Sequence, residues 1–126
     1  MTLAITGTYA AALTLLYLLL SARVITVRRS KRINLGDGDD PDLQRRMRAH
    51  GNFAEYAPLG LILLLIAEQQ GAAPTWLHLT GLLLLLGRFA HGLNFTFGLK
   101  SMALRAGGMV ATFLSLLLGA ILVLPL

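Results

Sequence analysis

"RRMRAHGNFAEYAP", residues 45–58, runs directly into the apolar stretch "LGLILLLIAE", residues 59–68. Arginines, a histidine, an asparagine and a glutamate thus crowd the start of an otherwise oily segment. Arg45, Arg48, Asn52 and Glu55 are spaced three, four and three apart, so a helix gathers them into one stripe with Tyr56 at its edge. From Arg48 to Glu55 the stripe covers about 10 Å, at ~1.5 Å per residue. It can reach from a membrane interface into hydrocarbon, where a charge facing lipid costs several kcal/mol. The spacing therefore predicts that the stripe faces a bundle interior or a wet cavity. Arg48 and Glu55, two turns apart, are expected to find partners on other helices rather than in each other.

The rest of the chain supports a membrane setting. Of 126 residues, 56% are hydrophobic and 13% charged, too little polar surface for a soluble domain this small. Four apolar segments stand out: Met1–Ala22, about 41–70, Pro74–Phe97 and Ser101–Pro125. The first, third and fourth qualify as spans by length; the second qualifies only if its polar first turns are shielded. The predicted helices run roughly 2–28, 41–70, 74–97 and 101–125, giving an all-α, four-transmembrane-helix bundle of one domain. No cleavable signal is evident, because "MTLAITGTYA" lacks a basic start. The absence of cysteine removes disulfides and a protein-borne thiol nucleophile.

The connections set orientation. The first loop is long and charged, the second ("EQQGAAPT") is short, and the third turns tightly around Gly98. Arg28, Arg29, Lys31, Arg32, Arg45, Arg46 and Arg48 lie in or beside the first loop, with Lys100 and Arg105 near the third. The positive-inside rule puts that loop in the cytoplasm and both termini outside. The net charge of +5 thus reads as membrane topology, not nucleic-acid binding. "DGDD", residues 37–40, reads as a turn into a helix start, with Asp40 as N-cap and Pro41 at the first helical position. It lacks the spacing of an EF-hand, and no metal site is expected.

Arg88 and His91, at i and i+3, place polar groups on one face of the third segment, and Arg105 lies early in the fourth. With Arg28 and Arg48, these cations outnumber Glu55. Such an excess suits an anionic ligand, with an internal polar lock as the alternative use for it. Elsewhere His78 beside Trp76 reads as interfacial anchoring, Glu68 as a water-facing end to the second segment, and Asn94 as an interhelical hydrogen bond. Met47 and Met102 read as apolar fillers.

Two of these stretches resemble the MAPEG family, the membrane-associated proteins of eicosanoid and glutathione metabolism. "RMRAHGNFAEYAPLGLILL" resembles the family's second-helix pattern R-x-x-R-A-x-x-N-x-x-E-x-x-P, carried by Arg45, Arg48, Ala49, Asn52, Glu55 and Pro58. "GRFAHGLNF" resembles its third-helix signature, and "VITVRRSKRINLGDG" the end of its first helix, in a form like the bacterial branch. The resemblance implies a homotrimeric four-helix bundle in a bacterial inner membrane, surrounded by membrane lipids, with glutathione bound between subunits toward the cytoplasmic side. By motif position, Arg48, Asn52, Glu55 and Tyr56 would hold the tripeptide, Glu55 taking its ammonium. His50, Arg28, Arg88, His91 and Phe95 match further site positions. Arg105 matches the helix-four arginine beside the sulfur and would be catalytic, with Lys100 a rival because the turn around Gly98 varies in length.

The implied activity is glutathione transfer to a lipophilic electrophile, or reduction of a lipid hydroperoxide. A free thiol has a pKa near 8.5, and a fixed guanidinium raises its ionised fraction. The missing cysteine fits, since the sulfur arrives with glutathione. Three departures bear on catalysis. Phe95 stands where several members have a tyrosine, Gly51 replaces an arginine, and Ala106 and Met109 replace polar residues of the prostaglandin-forming branch. One alternative is a non-catalytic MAPEG-like lipid- or ligand-binding scaffold. The other is a small multidrug transporter, disfavoured because the first segment carries no embedded acid.

Overall fold

A computed structural model describes residues 2–125; Met1, part of the first apolar segment, lies outside them. The described chain is four helices in sequence: α1 (Ala4–Lys31), α2 (Pro41–Gln69), α3 (Pro74–Thr96) and α4 (Met102–Val123). Helix α1 runs one turn beyond its expected end at 28. Arg28, Arg29 and Lys31 in its last turn suit the negative end of the helix dipole. Arg32 then turns left-handed at φ 55°, and Ile33 N donates to Arg28 O at 3.0 Å.

The start of α2 follows the expected chemistry. Asp40 accepts from Leu43 N at 2.8 Å, with Pro41 in the first helical position. Lys31 Nζ also pairs with the Asp40 carboxylate. Asp37 accepts from Asp39 N at 2.9 Å and from Gln44 Nε2 at 3.0 Å. The aspartates of "DGDD" thus hold the turn together. Both carboxyls sit below the usual carboxylate range: Asp37 through its bonds to Asp39 N and Gln44, Asp40 through Lys31 and the Leu43 amide.

Three helices, α1, α2 and α4, are long and apolar enough to cross a membrane. The polar start of α2 does not prevent its apolar remainder from qualifying. Helix α3, expected to qualify, does not join them: His78, Arg88, His91 and Asn94 dilute its apolar character. It packs on the other three helices, as α2 does, while α1 and α4 do not touch among the described residues.

Helix α4 shows the environment most directly. Its buried residues are Gly108, Thr112, Ser115 and Gly119, all small. Its large residues point outward: Val110, Phe113, Leu114, Leu117 and Ile121 are each about half exposed. A soluble helix does the reverse, whereas membrane helices pack through small residues and give large ones to lipid. The α3–α4 crossing is correspondingly close. A Cβ on Gly108 would lie 2.8 Å from Gly87 O, and one on Gly87 would lie 2.7 Å from Thr112 Oγ1. Ser115 Oγ adds a bond to Thr80 O at 2.7 Å. On the other side of α3, Leu13, Leu16, Leu20, Ala49, Phe53, Ala57 and Leu84 form the main apolar core with α1 and α2.

The end of the molecule away from the charged loop departs from expectation. Glu68 is half-buried and does more than end α2 at water. Its carboxylate accepts from Ile5 N at 2.9 Å and Thr6 N at 2.7 Å. A residue of α2 therefore caps α1, whose own N-cap residue Leu3 makes no side-chain cap bond. His78 does more than anchor an interface, because Tyr9 Oη contacts its Nδ1 at 3.1 Å and donates to its carbonyl at 3.2 Å.

Candidate functional site

The polar residues of α2, α3 and α4 fall into distinct groups. Arg88 is 1% exposed. Its Nε donates to Thr112 Oγ1 at 2.9 Å, its Nη1 to the carbonyl and side-chain oxygens of Asn52, and its Nη2 to Met109 Sδ at 3.1 Å. Tyr56 covers the guanidinium with its ring, 5.2 Å from Cζ. One side chain thus ties α2 and α4 to α3. Every hydrogen-bonding partner is neutral, and no ion pair to Arg88 forms among the described residues. A buried cation without a counter-ion is costly, so this end of the bundle carries positive charge not balanced from within.

The α2 stripe divides, contrary to the expectation that all of it faces inward. Asn52 is 4% exposed, but the side chains of Arg48 and Glu55 are 59% and 53% exposed. They also pair with each other, Arg48 Nη1 to Glu55 Oε1 at 3.5 Å, which the sequence reading excluded. The reason is helical phase. At ~100° per residue, seven residues return within about 20° of the starting direction, while Asn52 lies about 40° around from Arg48. Two long side chains lying along the axis then close the gap of two turns.

Near the α3–α4 turn, His91 stacks on Phe95 with centroids 4.7 Å apart, and its buried Nδ1 has no hydrogen-bond partner. Arg105 is exposed and holds Cζ 5.5 Å from the other neighbour of that pair, the Phe95 ring. A cleft of about 260 Å³ opens here between Arg45, Asn94, Phe95, Lys100, Ser101 and Arg105. Lys100 and Arg105 therefore share one cleft. Asn94 bonds not across helices but onto the turn, its Oδ1 accepting from Ser101 N at 2.8 Å.

Two expected site residues lie elsewhere in the single chain. Arg28 donates to Ile33 O at 3.2 Å and Gly36 O at 2.8 Å, and reaches Met47 Sδ at 3.5 Å. It braces the first loop, and Met47 is its acceptor rather than a mere filler. His50 stacks on Tyr17 of α1, centroids 4.8 Å apart. Thr112, a partner of Arg88, has no part in the sequence expectations, and Met109, noted there only as a departure from polar residues, is a second partner. The signal was present in the 4-3-4 spacing of Gly108, Thr112, Ser115 and Gly119, which marks the inward face of α4.

A profile of the MAPEG family matches residues 6–125, spanning all four helices. The chain belongs to the MAPEG family. Among its relatives, this MAPEG protein is 37% identical over 114 residues to the inner membrane protein YecN of Escherichia coli K12, covering 90% of this chain and 86% of YecN. The YecN of Escherichia coli O6:H1 matches to the same extent. The MAPEG membership and the outward-facing large residues of α4 agree in placing the chain in a membrane, and the relative is a protein of the inner membrane.

Proposed function

We infer that this protein is a glutathione-dependent transferase or peroxidase of the bacterial inner membrane, acting on lipophilic electrophiles or lipid hydroperoxides. The observation that carries this reading is the Arg48–Glu55 pair, more than half exposed on a flank of α2. Glutathione has one ammonium and two carboxylates. A carboxylate and a guanidinium side by side, near an uncompensated Arg88 and an exposed Arg105, form a donor set of matching sign. Glu55 takes the ammonium, and Arg48 takes a carboxylate. Arg88 and Asn52, bound to each other, position α2 rather than touching the peptide directly.

Glutathione, when bound, supplies the sulfur that attacks the electrophile. Arg105 keeps its charge even in partly dry surroundings and presents it beside Phe95, favouring the ionised form of a thiol placed there. His91, stacked behind Phe95, fixes that ring. Arg48, Glu55 and Arg105 sit on outward faces of one chain, as expected of a site completed by a neighbouring subunit of a trimer. In the membrane all four helices cross, with the first loop in the cytoplasm and both termini outside.

The test is calorimetric titration of the detergent-purified protein with glutathione, followed by ultraviolet absorbance of the bound thiolate. Binding with a thiolate signal supports the enzyme; folded protein that gives no heat rules it out. A second reading, a non-catalytic ligand-binding scaffold, is favoured by one observation. Phe95 offers no hydroxyl at the cleft, which leaves the sulfur to the cations there, Arg105 and Lys100. Binding without thiolate absorbance selects that reading.

A further inference from the structure

The cleft at the α3–α4 turn has a composition that the sulfur chemistry does not require. It is lined by Arg45, Lys100 and Arg105 with no acid among its walls. The nearest compensation is Asp42, which is shared: it accepts from Arg45 Nη2 at 3.0 Å and from Arg46 Nε at 3.1 Å. Arg45 Nε is buried and has no hydrogen-bond partner among the described residues. Gly98, at φ 62°, lies directly on that guanidinium, where a Cβ would approach Nε to 3.2 Å.

Asn94 is the second, independent pointer. It is 6% exposed and lines the cleft. Its oxygen is fixed by Ser101 N, which leaves its amide nitrogen without a protein partner among the described residues. That nitrogen is not sealed from solvent, and it can donate to an acceptor oxygen in the cleft. Lys100 adds an ammonium held on a left-handed backbone, φ 55°, a conformation uncommon for a residue with a Cβ. Guanidinium, amide and ammonium thus surround one space, which suits a compact oxyanion with several acceptor oxygens.

What lies next to the cleft says which oxyanion. Met102 is 70% exposed and Leu99 54%, and both flank the turn on the basic side of the molecule. A free phosphate has no use for such neighbours; a phospholipid does, laying its acyl chains beside them. We propose that Arg45, Asn94 and Lys100 form a binding site for the phosphate of an anionic membrane phospholipid. Arg105, over Phe95, lines the same cleft, so a phosphate held by Arg45, Asn94 and Lys100 lies beside the position given to the glutathione sulfur, and its own test is lipid retention.

The experiment incorporates the protein into nanodiscs of equal phosphatidylglycerol and phosphatidylcholine, extracts it into mild detergent and weighs retained lipid by native mass spectrometry. Phosphatidylglycerol is expected to be retained over phosphatidylcholine, and Lys100→Asn to reduce that preference several-fold. Asparagine tolerates the left-handed backbone, and Lys100 is exposed, so the fold is kept and its melting temperature checks this. Arg29→Gln, at the end of α1, removes an equal charge elsewhere on the basic side and should leave the preference intact. Equal retention of the two lipids overturns the proposal, as does equal loss in both variants, which would mark diffuse attraction. Inorganic phosphate that raises the melting temperature of lipid-free protein as much as phosphatidylglycerol does, in a Lys100-dependent way, overturns the lipid as occupant.

Discussion

Arg88 Nε donates to Thr112 Oγ1 at 2.9 Å across the α3–α4 crossing, while Thr112 itself donates back to Gly108 O at 2.8 Å. The hydroxyl is therefore both acceptor and donor, and no apolar isostere replaces it. Thr112→Val keeps the shape but leaves a buried guanidinium N–H unpaired, at a cost of about 1–3 kcal/mol. A lowered unfolding midpoint in detergent is the expected result; an unchanged midpoint would show that Arg88 finds another acceptor.

The same crossing gives a paired test of packing. Gly108→Ala drives a methyl to within 2.8 Å of backbone, where neither helix can yield. The expected loss is about 1–3 kcal/mol. Gly107→Ala, one residue away with nothing within 4 Å, should be neutral or slightly stabilising, since alanine is the better helix former. Equal melting temperatures for the two variants would refute the close approach of α3 and α4.

Glu68→Ala removes the cap that α2 provides for α1. The cost should resemble that of losing an N-cap, about 0.5–2 kcal/mol. The diagnostic readout is local: amide exchange at Ile5 and Thr6 should accelerate while the core of α3 stays protected.

Acid should loosen the first loop. Asp40 and Asp37 are held below the usual carboxylate range in the folded chain. The unfolded chain then binds more protons, so the stability these groups contribute is present above the ordinary range, near pH 4, and is lost as pH falls through their folded values. Asp40→Asn, which keeps a capping oxygen but not the charge, should flatten the acid limb of a stability-versus-pH curve. A limb as steep as the parent's would assign it to other carboxylates.

At the proposed site, Glu55→Gln should weaken glutathione binding by removing the ammonium partner. Arg105→Ala should largely spare binding and abolish the thiolate absorbance. If absorbance survives in Arg105→Ala and vanishes in Lys100→Asn, the activating charge is Lys100 of the same cleft.

Much of the architecture was legible because it rests on local rules. Asp40 and Pro41 mark a helix start whatever surrounds them, and hydropathy marks the long helices. Phase was harder to read. Grouping Arg48, Asn52 and Glu55 as one stripe was right to within about 60°, but that much rotation separates a buried residue from two exposed ones. The partners of Glu68 and Asn94 were illegible for a different reason: the amides of Ile5 and Thr6 and of Ser101 are backbone groups whose availability depends on where other helices begin. Thr112 was missed because a lone threonine in an apolar run carries no charge to draw notice, although its burial holds Arg88 in place.

The cap on α1 also imposes an order on biogenesis. Ile5 and Thr6 leave the ribosome long before Glu68, their acceptor 63 and 62 residues downstream. Until α2 has been made and inserted antiparallel to α1, the first turn of α1 has donors without acceptors, which hydrocarbon does not tolerate. That turn must wait in water or among headgroups, and it settles only when the second span arrives. The first turn of α1 is thus the last part of that hairpin to fold.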